Sequence, residues 1–121
     1  MIKKQCIFCK IANKEIPSKI IYENDNFFSV PDANPIIKGH CLVISKQHFE
    51  NVLDMPASLG RELLECIKKT SMILMKNEKA DGFNIVNNNF DSAGQVVKHI
   101  HFHIIPRKNN DGKVFDLWDK K

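Results

Sequence analysis

The sequence lacks an apolar run of the ~20 residues that a membrane-spanning helix needs. Its first ten residues, MIKKQCIFCK, are basic but are not followed by the apolar region of a secretory signal peptide. These two absences favour a cytoplasmic protein without a membrane partner. The net charge of +4 is spread along the chain, and no basic stripe with interleaved aromatic residues indicates binding to nucleic acid.

Turn signals divide the 121-residue chain into short extended segments around one long helical segment. β-branched and aromatic residues predict five strands, at residues 19–25, 26–30, 40–46, 83–87 and 98–106. Apolar residues near helical spacing predict a helix over residues 56–79, and CIFCKIAN near the N-terminus predicts a short helix or turn. No βαβ unit is visible. We therefore predict an α+β fold with an antiparallel sheet, in a single domain over residues 1–121 with a C-terminal tail at 106–121.

Three of the five histidines, His99, His101 and His103, occupy every second position of the last predicted strand. Side chains alternate between the two faces of a strand, so the three imidazoles are predicted to share one face, about 6.6 Å apart. The apolar residues between them then face the core. A solvated polar face is the plain alternative, although lysine, threonine or glutamate would serve it equally well.

Two kinds of chemistry suit this row of imidazoles. A His-x-His pair on a strand can hold zinc, with N–Zn distances of about 2.0–2.1 Å. A neutral imidazole, whose unperturbed pKa is about 6.5, can instead act as a nucleophile and as a leaving group at phosphorus. The preceding loop, NNNFDSAGQVV, offers Gly94, Gln95 and backbone N–H groups that can cradle a phosphate. Beside the imidazoles, this loop favours phosphate chemistry.

The segment His99-Ile-His101-Phe-His103-Ile-Ile resembles in full the signature of the histidine-triad family, His-φ-His-φ-His-φ-φ, in which φ is apolar. The stretches CIFCKI, IYEND, KGHCLVISKQH and GFNIVNNN are also similar to segments of bacterial-type histidine-triad proteins, so the resemblance extends over most of the chain. It implies a HIT-like fold and a homodimer whose sheet continues across the interface. The tail would then be a candidate contact for the partner subunit.

The resemblance also implies roles for individual residues. His101 would be the nucleophile at the α-phosphorus of a nucleotide, His103 would contact the phosphate and the leaving group, and His40 would support them from behind. The implied nucleotide-binding residues are Asp32 at the ribose, Asn87, Gln95 and the backbone of Val96 at the phosphate, and Ile7, Phe8 and Phe28 at the base. The asparagine run after residue 86 leaves the register of the phosphate loop open by one residue. Family members often carry Ser or Thr where this chain has Val96, so hydroxyl assistance to the leaving group is lost.

Cys6 and Cys9 form a Cys-x-x-Cys pair, which in a cytoplasmic chain indicates metal binding or redox chemistry rather than a disulfide. Some histidine-triad proteins, and the related galactose-1-phosphate uridylyltransferases, resemble this chain in using the first triad position as a zinc ligand. The resemblance implies a structural zinc held by Cys6, Cys9, His48 and His99. Two reduced, idle thiols are the alternative. The other cysteines, Cys41 and Cys66, are expected to be buried.

Together these features predict a nucleotide hydrolase or transferase that acts at the α-phosphorus of purine nucleotide conjugates through a covalent nucleotidyl-histidine. Phosphoramidates, dinucleoside polyphosphates and adenylylated amines all fit as substrates, and AMP fits as a ligand. One alternative is a zinc hydrolase whose three histidines hold a catalytic ion. Another is a nucleotide-binding regulator without turnover, since the same residues would serve binding and catalysis.

Overall fold

The structure, a computed structural model, describes residues 5–112. Its strands are β1 (Tyr22–Glu23), β2 (Phe27–Pro31), β3 (Cys41–Ser45), β4 (Gly82–Val86) and β5 (His101–Arg107). Its α-helices are α1 (Ile7–Ala12) and α2 (Gly60–Asn77), and short 3-10 helices lie at Ala57–Leu59 and Asp91–Ala93. Most of the predicted tail, including Trp118, lies outside the described residues. No helix in the described part of the chain is long and apolar enough to cross a membrane.

The five strands form one antiparallel sheet in the order β1-β2-β3-β5-β4. β1 and β2 form a hairpin whose turn is closed by the Asn24 side chain, because its Oδ1 accepts hydrogen bonds from the backbone N–H groups of Asn26 and Phe27. β5 lies between β3 and β4 and pairs with both of them. The predicted α+β fold, with an antiparallel sheet, one long helix and a short N-terminal helix, is confirmed.

Helix α2 covers one face of the sheet. Its buried residues form a single stripe at helical spacing: Cys66, Ile67, Thr70, Ser71 and Leu74. Its apolar members, Cys66, Ile67 and Leu74, pack in one cluster with residues from three neighbouring strands: Phe27, Val43 and Ile104. The predicted helix lies where it was expected, although its first turn is the tighter 3-10 helix Ala57–Leu59.

A second apolar cluster lies on the opposite face of the sheet, beneath α1. It consists of Phe8, Phe28, Val30, Leu42 and Ile44. Alternate residues of β3 belong to the two clusters, as the side-chain period of a strand requires. Leu42 pairs with His103 and Ile44 with His101, so both histidines face the α1 side. The sheet register therefore places two of the three triad histidines together beneath α1.

The last strand differs from its predicted span at both ends. It begins at His101 because the backbone N–H of Ile100 donates to a loop carbonyl 2.7 Å away rather than to a neighbouring strand. His99 therefore precedes the strand. β5 also continues through Pro106, because its pairing with β3 has already ended at Ile104 and proline is tolerated where a strand forms an edge.

Candidate active site and metal centre

A cavity of about 960 Å³ opens on the α1 side of the sheet. His101 and His103 form part of its wall, and Asp32 is the only acidic or basic residue among the described residues that line it, histidine aside. The apolar part of the wall includes Ile7, Phe8, Ile11, Val30 and Leu42. The combination of a largely apolar wall and a few polar groups is typical of a site for a small molecule.

His101 is buried at the cavity wall, and the backbone fixes the orientation of its ring. Its Nδ1 lies 2.7 Å from the carbonyl oxygen of His99, and because a carbonyl can only accept, Nδ1 carries the proton. The rings of Phe8 and His101 pack in a T-shaped arrangement, with centroids 5.0 Å apart. The neutral ring therefore has its lone pair on Nε2, the atom that can attack an electrophile.

His40 and His103 form a hydrogen-bond chain with a fixed direction. The backbone N–H of Ile36 donates to Nδ1 of His40 over 3.1 Å, so neutral His40 carries its proton on Nε2. That N–H donates to Nδ1 of His103, 2.9 Å away. Neutral His103 must then carry its own proton on Nε2. His101, in contrast, carries its proton on Nδ1 and its lone pair on Nε2.

The carboxylate of Asp32 lies beside this histidine pair. Its Oδ2 is 3.4 Å from Nε2 of His40 and 3.8 Å from Nδ1 of His103, while its Oδ1 accepts from the backbone N–H of Asn34. A negative charge at this distance favours the protonated form of an imidazole. The carboxylate can therefore support positive charge on the pair, while its predicted contact with a ribose stays a prediction.

The loop between β4 and β5 supplies another part of the cavity wall, through Asn88, Gly94, Val96 and Val97. Gly94 ends the short 3-10 helix with a φ of 90°, which residues with a side chain rarely adopt. The side chain of Val96 is 88% exposed. It gives the cavity an exposed apolar rim at the position where a hydroxyl residue is common in the family that the sequence resembles.

Four residues predicted to bind a nucleotide line the cavity: Ile7, Phe8, Asp32 and Val96. Phe28 does not line it. β2 buries Phe28 in the α1-side cluster, and its ring borders a smaller neighbouring cavity of about 410 Å³. In the structure Phe28 packs in the core, and Val30, two residues further along the same strand face, lines the cavity. The contact of Phe28 with a base stays a prediction.

Two predicted phosphate ligands, Asn87 and Gln95, bind backbone groups instead of lining the cavity. The buried amide of Gln95 makes hydrogen bonds to three backbone groups of the surrounding loops. The amide of Asn87 donates to the carbonyl of His101 over 2.9 Å. Asn88, one residue along the asparagine run whose register the sequence leaves open, lines the cavity. The phosphate contacts of Asn87 and Gln95 stay predictions.

The predicted metal ligands converge at the N-terminal end of α1. The four ligand atoms of Cys6, Cys9, His48 and His99 all lie within 4.8 Å of one another. Sγ of Cys6 is 3.2 Å from Nδ1 of His99, and Sγ of Cys9 is 3.3 Å from Nδ1 of His48. Around a tetrahedral zinc, sulfur and nitrogen ligands lie about 3.5 Å apart. The cluster therefore has nearly the dimensions of an assembled zinc site.

The protonation of His99 also suits a metal. Its Nε2 lies 2.8 Å from the carbonyl of Ser45 and must donate to it, which leaves the lone pair on Nδ1, beside the two thiols. Burial lowers the pKa of His99 to about 4, so the ring is neutral at pH 7. Two thiols and two imidazoles are ligands that zinc prefers. The residues present fit zinc.

A second group, Asp32, His40 and His103, also has ligand atoms within 4.8 Å of one another. In this group the protonation of His40 does not suit metal binding. The N–H of Ile36 occupies Nδ1 of His40, so the Nε2 atom that would face an ion already carries a proton. The structure also separates His99 from the other two triad rings by turning it to the thiols. The position of His99 counts against the alternative in which the three triad histidines hold one catalytic ion.

The HIT domain family matches residues 13–110 of this chain. An uncharacterised HIT-like protein of Methanocaldococcus jannaschii is 47% identical over 116 residues, which cover 96% of this chain and 89% of that protein. An adenosine 5'-monophosphoramidase of Candida albicans is 38% identical over 108 residues, which cover 86% of this chain and 71% of that protein.

A solved structure is also similar, the zinc-bound histidine triad family protein of Mycobacterium smegmatis. It has a TM-score of 0.83 at 35% identity, covering 88% of this chain and 78% of that one. Some relatives in the family are named as hydrolases, such as the phosphoramidase of C. albicans. Sequence match, fold and the histidines of the cavity agree, and the chain belongs to the HIT, or histidine-triad, family.

Proposed function

We propose that this protein is a nucleotide hydrolase or transferase that acts at the α-phosphorus of purine nucleotide conjugates and forms a covalent nucleotidyl-His101 intermediate. The opposite protonation of the two cavity histidines is the observation that carries the proposal. His101 offers a lone pair on Nε2, whereas His103 offers an N–H there, because its Nδ1 accepts from His40. The two rings are neighbours, with centroids 5.2 Å apart. A nucleophile and a proton donor therefore lie side by side.

The reaction takes two steps. In the first, Nε2 of His101 bonds to the α-phosphorus and the bond from phosphorus to the leaving group breaks. The His40–His103 pair enters this step with one extra proton, balanced by the Asp32 carboxylate, and gives a proton through Nε2–H of His103 to the departing atom, which leaves the pair neutral. In the second, water attacks phosphorus, gives a proton to His103, and displaces His101 as a neutral imidazole. An alcohol or amine in place of water gives transfer instead of hydrolysis. Gly94, Val96 and Asn88, which line the cavity, would stabilise charge on the phosphate.

The charges around the cavity favour some leaving groups over others. Among the described residues that line it none is lysine or arginine, and the one charged side chain, Asp32, is negative. A dinucleoside polyphosphate would bring several negative charges into such a site without a cation to balance them. A single phosphoryl group joined to an uncharged or cationic amine avoids this repulsion. Phosphoramidates and adenylylated amines are therefore the preferred substrates among the three predicted classes.

The apolar wall of the cavity suits the base of the nucleotide. Ile7, Phe8, Ile11 and Val30 offer an aliphatic and aromatic surface that can bury the faces of a purine ring. Asp32, at the polar side of the cavity, is placed in the proposal at the ribose hydroxyls. AMP, the part shared by adenylylated conjugates, is the expected ligand.

We also propose that the metal cluster holds a structural zinc. Cys6, Cys9, His48 and His99 would supply four protein ligands, which leaves no open position for a substrate. Zinc would supply folding energy by tying α1 to the sheet. No step of the proposed reaction passes through it.

A homodimer is proposed to form through β4, an edge strand of the sheet. Phe83 and Ile85 on this strand are 40% and 50% exposed, so the edge carries an apolar row that a second copy can cover. Ile85→Lys would place a charge in that interface. Light scattering should then give the mass of a monomer for Ile85→Lys and of a dimer for the wild type; equal masses would contradict the interface.

The test of the reaction is a trapped adduct. Wild-type protein is mixed with an adenosine phosphoramidate and quenched in alkaline denaturant, and intact-mass and peptide analysis then look for an adenylyl group on His101. His101→Asn should give neither adduct nor turnover. Turnover by that variant at the wild-type rate would contradict the proposal. Wild-type protein that binds AMP but turns over no conjugate would instead be a nucleotide-binding regulator.

The zinc-hydrolase alternative is tested with the same substrate. Removal of zinc by a chelator should lower the melting temperature, because the ion ties α1 to the sheet. An adduct that still forms on His101 in metal-free, folded protein would contradict a catalytic ion.

A further inference from the structure

Two asparagines of the loop after β4 face away from the cavity and form a chain of hydrogen bonds. The backbone N–H of Val52 donates to Oδ1 of Asn89 over 2.9 Å. Nδ2 of Asn89 donates to Oδ1 of Asn87 over 2.7 Å, and Nδ2 of Asn87 donates to the carbonyl of His101 over 2.9 Å. The chain thus leads from a surface loop to the backbone of the proposed nucleophile.

The direction of this chain is fixed at both ends. The N–H of Val52 can only donate, and the carbonyl of His101 can only accept. Each side-chain amide must therefore present its oxygen toward Val52 and its NH₂ group toward His101, so neither amide can be flipped without losing two hydrogen bonds. A chain of this kind also polarises its members, which strengthens the last bond.

The last hydrogen bond replaces one that the sheet does not supply. The pairing of β5 with β3 extends to His101, opposite Ile44, but the pairing with β4 stops at His103, opposite Val86. On the β4 side the carbonyl of His101 therefore lies beyond the end of the ladder. Asn87 is the first residue after β4, and its amide binds that carbonyl in place of a strand. His101 is thereby held on both sides although it begins its strand.

From this arrangement we propose that Asn87 and Asn89 are positioning residues, which set the position of the His101 imidazole through its backbone and do not bind the phosphate. The inference rests on the proposed function of His101. The carbonyl of His99 sets the rotation of the ring, and the asparagine chain sets the place of its backbone. A displacement of ~1 Å at a nucleophile can slow a reaction by roughly 100-fold while the substrate still binds.

The experiment compares isosteric variants. Asn87→Asp keeps the acceptor for Asn89 but cannot donate to His101, and Asn89→Asp keeps the acceptor for Val52 but cannot donate to Asn87. We expect kcat to fall by about 10- to 100-fold in Asn87→Asp and by up to about 10-fold in Asn89→Asp. The Kd for AMP should change by less than about threefold in both, because binding and positioning are separate. Asn109→Asp, an exposed position past the far end of β5, carries the same chemical change as a control.

One further variant tests whether the added charge, rather than the lost donor, causes the effect, and another tests whether the two asparagines act in series. Asn87→Ala removes the donor without adding a charge, so it should reproduce the loss in kcat. If the two asparagines act in series, the double variant Asn87→Asp with Asn89→Asp should lose no more than Asn87→Asp alone. Additive losses would overturn the chain. A higher Kd for AMP with unchanged kcat would also overturn it, since that result assigns Asn87 to the phosphate.

A spectroscopic measurement tests the chain without relying on turnover. The ¹³C resonance of the His101 carbonyl should shift in Asn87→Asp and, by a smaller amount, in Asn89→Asp, and it should not shift in Asn109→Asp. An unchanged resonance in both loop variants would overturn the inference. Wild-type protein without turnover would refute the proposed function alone, because the carbonyl resonance would still decide whether the chain holds His101.

Discussion

Replacing Phe90 with glycine is expected to remove a strained backbone conformation from the loop of the cavity. Phe90 has φ 74° and ψ 160°, a region that is nearly exclusive to glycine. Its N–H donates to the side chain of Gln95, and its carbonyl accepts from the N–H groups of Ala93 and Gln95. These three hydrogen bonds hold a bulky residue where it would not otherwise lie. Alanine at this position keeps the strain, and glycine relieves it.

The magnitude of the effect follows from three contributions. Strain of this kind costs about 1–3 kcal/mol. Glycine lowers the free energy of unfolding by about 0.4–1 kcal/mol relative to alanine, because the unfolded chain is more flexible at a glycine. The ring of Phe90 is 51% exposed, so either substitution forfeits roughly 1 kcal/mol of apolar burial. Phe90→Gly should therefore be more stable than Phe90→Ala by about 1–2 kcal/mol, and close to the wild type.

Urea unfolding followed by circular dichroism measures this difference directly. A difference of 1 kcal/mol also moves the melting temperature of a domain of this size by about 4 °C. Ala93→Gly is the matched control in the same loop, since its 3-10 conformation suits alanine, and it should lose about 0.4–1 kcal/mol. If Phe90→Ala is as stable as Phe90→Gly, the backbone at Phe90 is not strained and the reasoning is wrong.

Three further predictions concern parts of the fold away from the cavity. Gly39→Ala should lower the melting temperature by several degrees, because Gly39 has φ 94° and a Cβ there would lie 2.6 Å from the side chain of Glu78; a melting temperature equal to that of the wild type would contradict this close approach. Burial raises the pKa of the Cys41 thiol to about 12 and that of the Cys66 thiol to about 11, so peptide mapping after treatment with a thiol reagent at pH 8 should find both unlabelled in the native protein and labelled in urea. The hydrogen bond from Arg107 lowers the pKa of Asp111 to about 2, so its contribution to stability is present above the unfolded pKa of about 3.9 and is lost as the pH falls through about 2. The stability advantage of the wild type over Asp111→Asn should accordingly shrink between these pH values, and an advantage that does not depend on pH would refute the assignment.

The architecture could be predicted from the sequence because its signals are local. β-branched segments and the apolar stripe of α2 predict the strands and the helix, and strand alternation places His101 and His103 on one face. The boundary of β5 could not be predicted in this way. His99 continues the alternating pattern of the sequence, but Ile100 donates its N–H to a loop carbonyl, and this long-range hydrogen bond decides where the strand begins.

The residues of the candidate site were predictable where the motif fixes a position and less so where loops fold. The cluster of Cys6, Cys9, His48 and His99 assembles as the resemblance implies. In the loop after β4, however, the sequence offers three successive asparagines that could each bind the backbone carbonyl of His101. Asn87 binds it because the pairing of β4 with β5 ends at Val86, and this end point cannot be read from the sequence. Phe28 shows the same limit, since a large apolar residue at this position fits core packing as well as contact with a base.

Helix α1 belongs to two sites at once, and this has a thermodynamic consequence. It has only six residues, too few to be stable alone in water, and it carries Cys9 toward the metal cluster and Ile7 and Phe8 toward the cavity. Any ligand that orders α1 at one site removes part of the entropy cost of binding at the other. If zinc and AMP bind as proposed, any factor by which zinc changes the affinity for AMP equals the factor by which AMP changes the affinity for zinc. The affinity for a nucleotide should therefore be measured at a defined metal content.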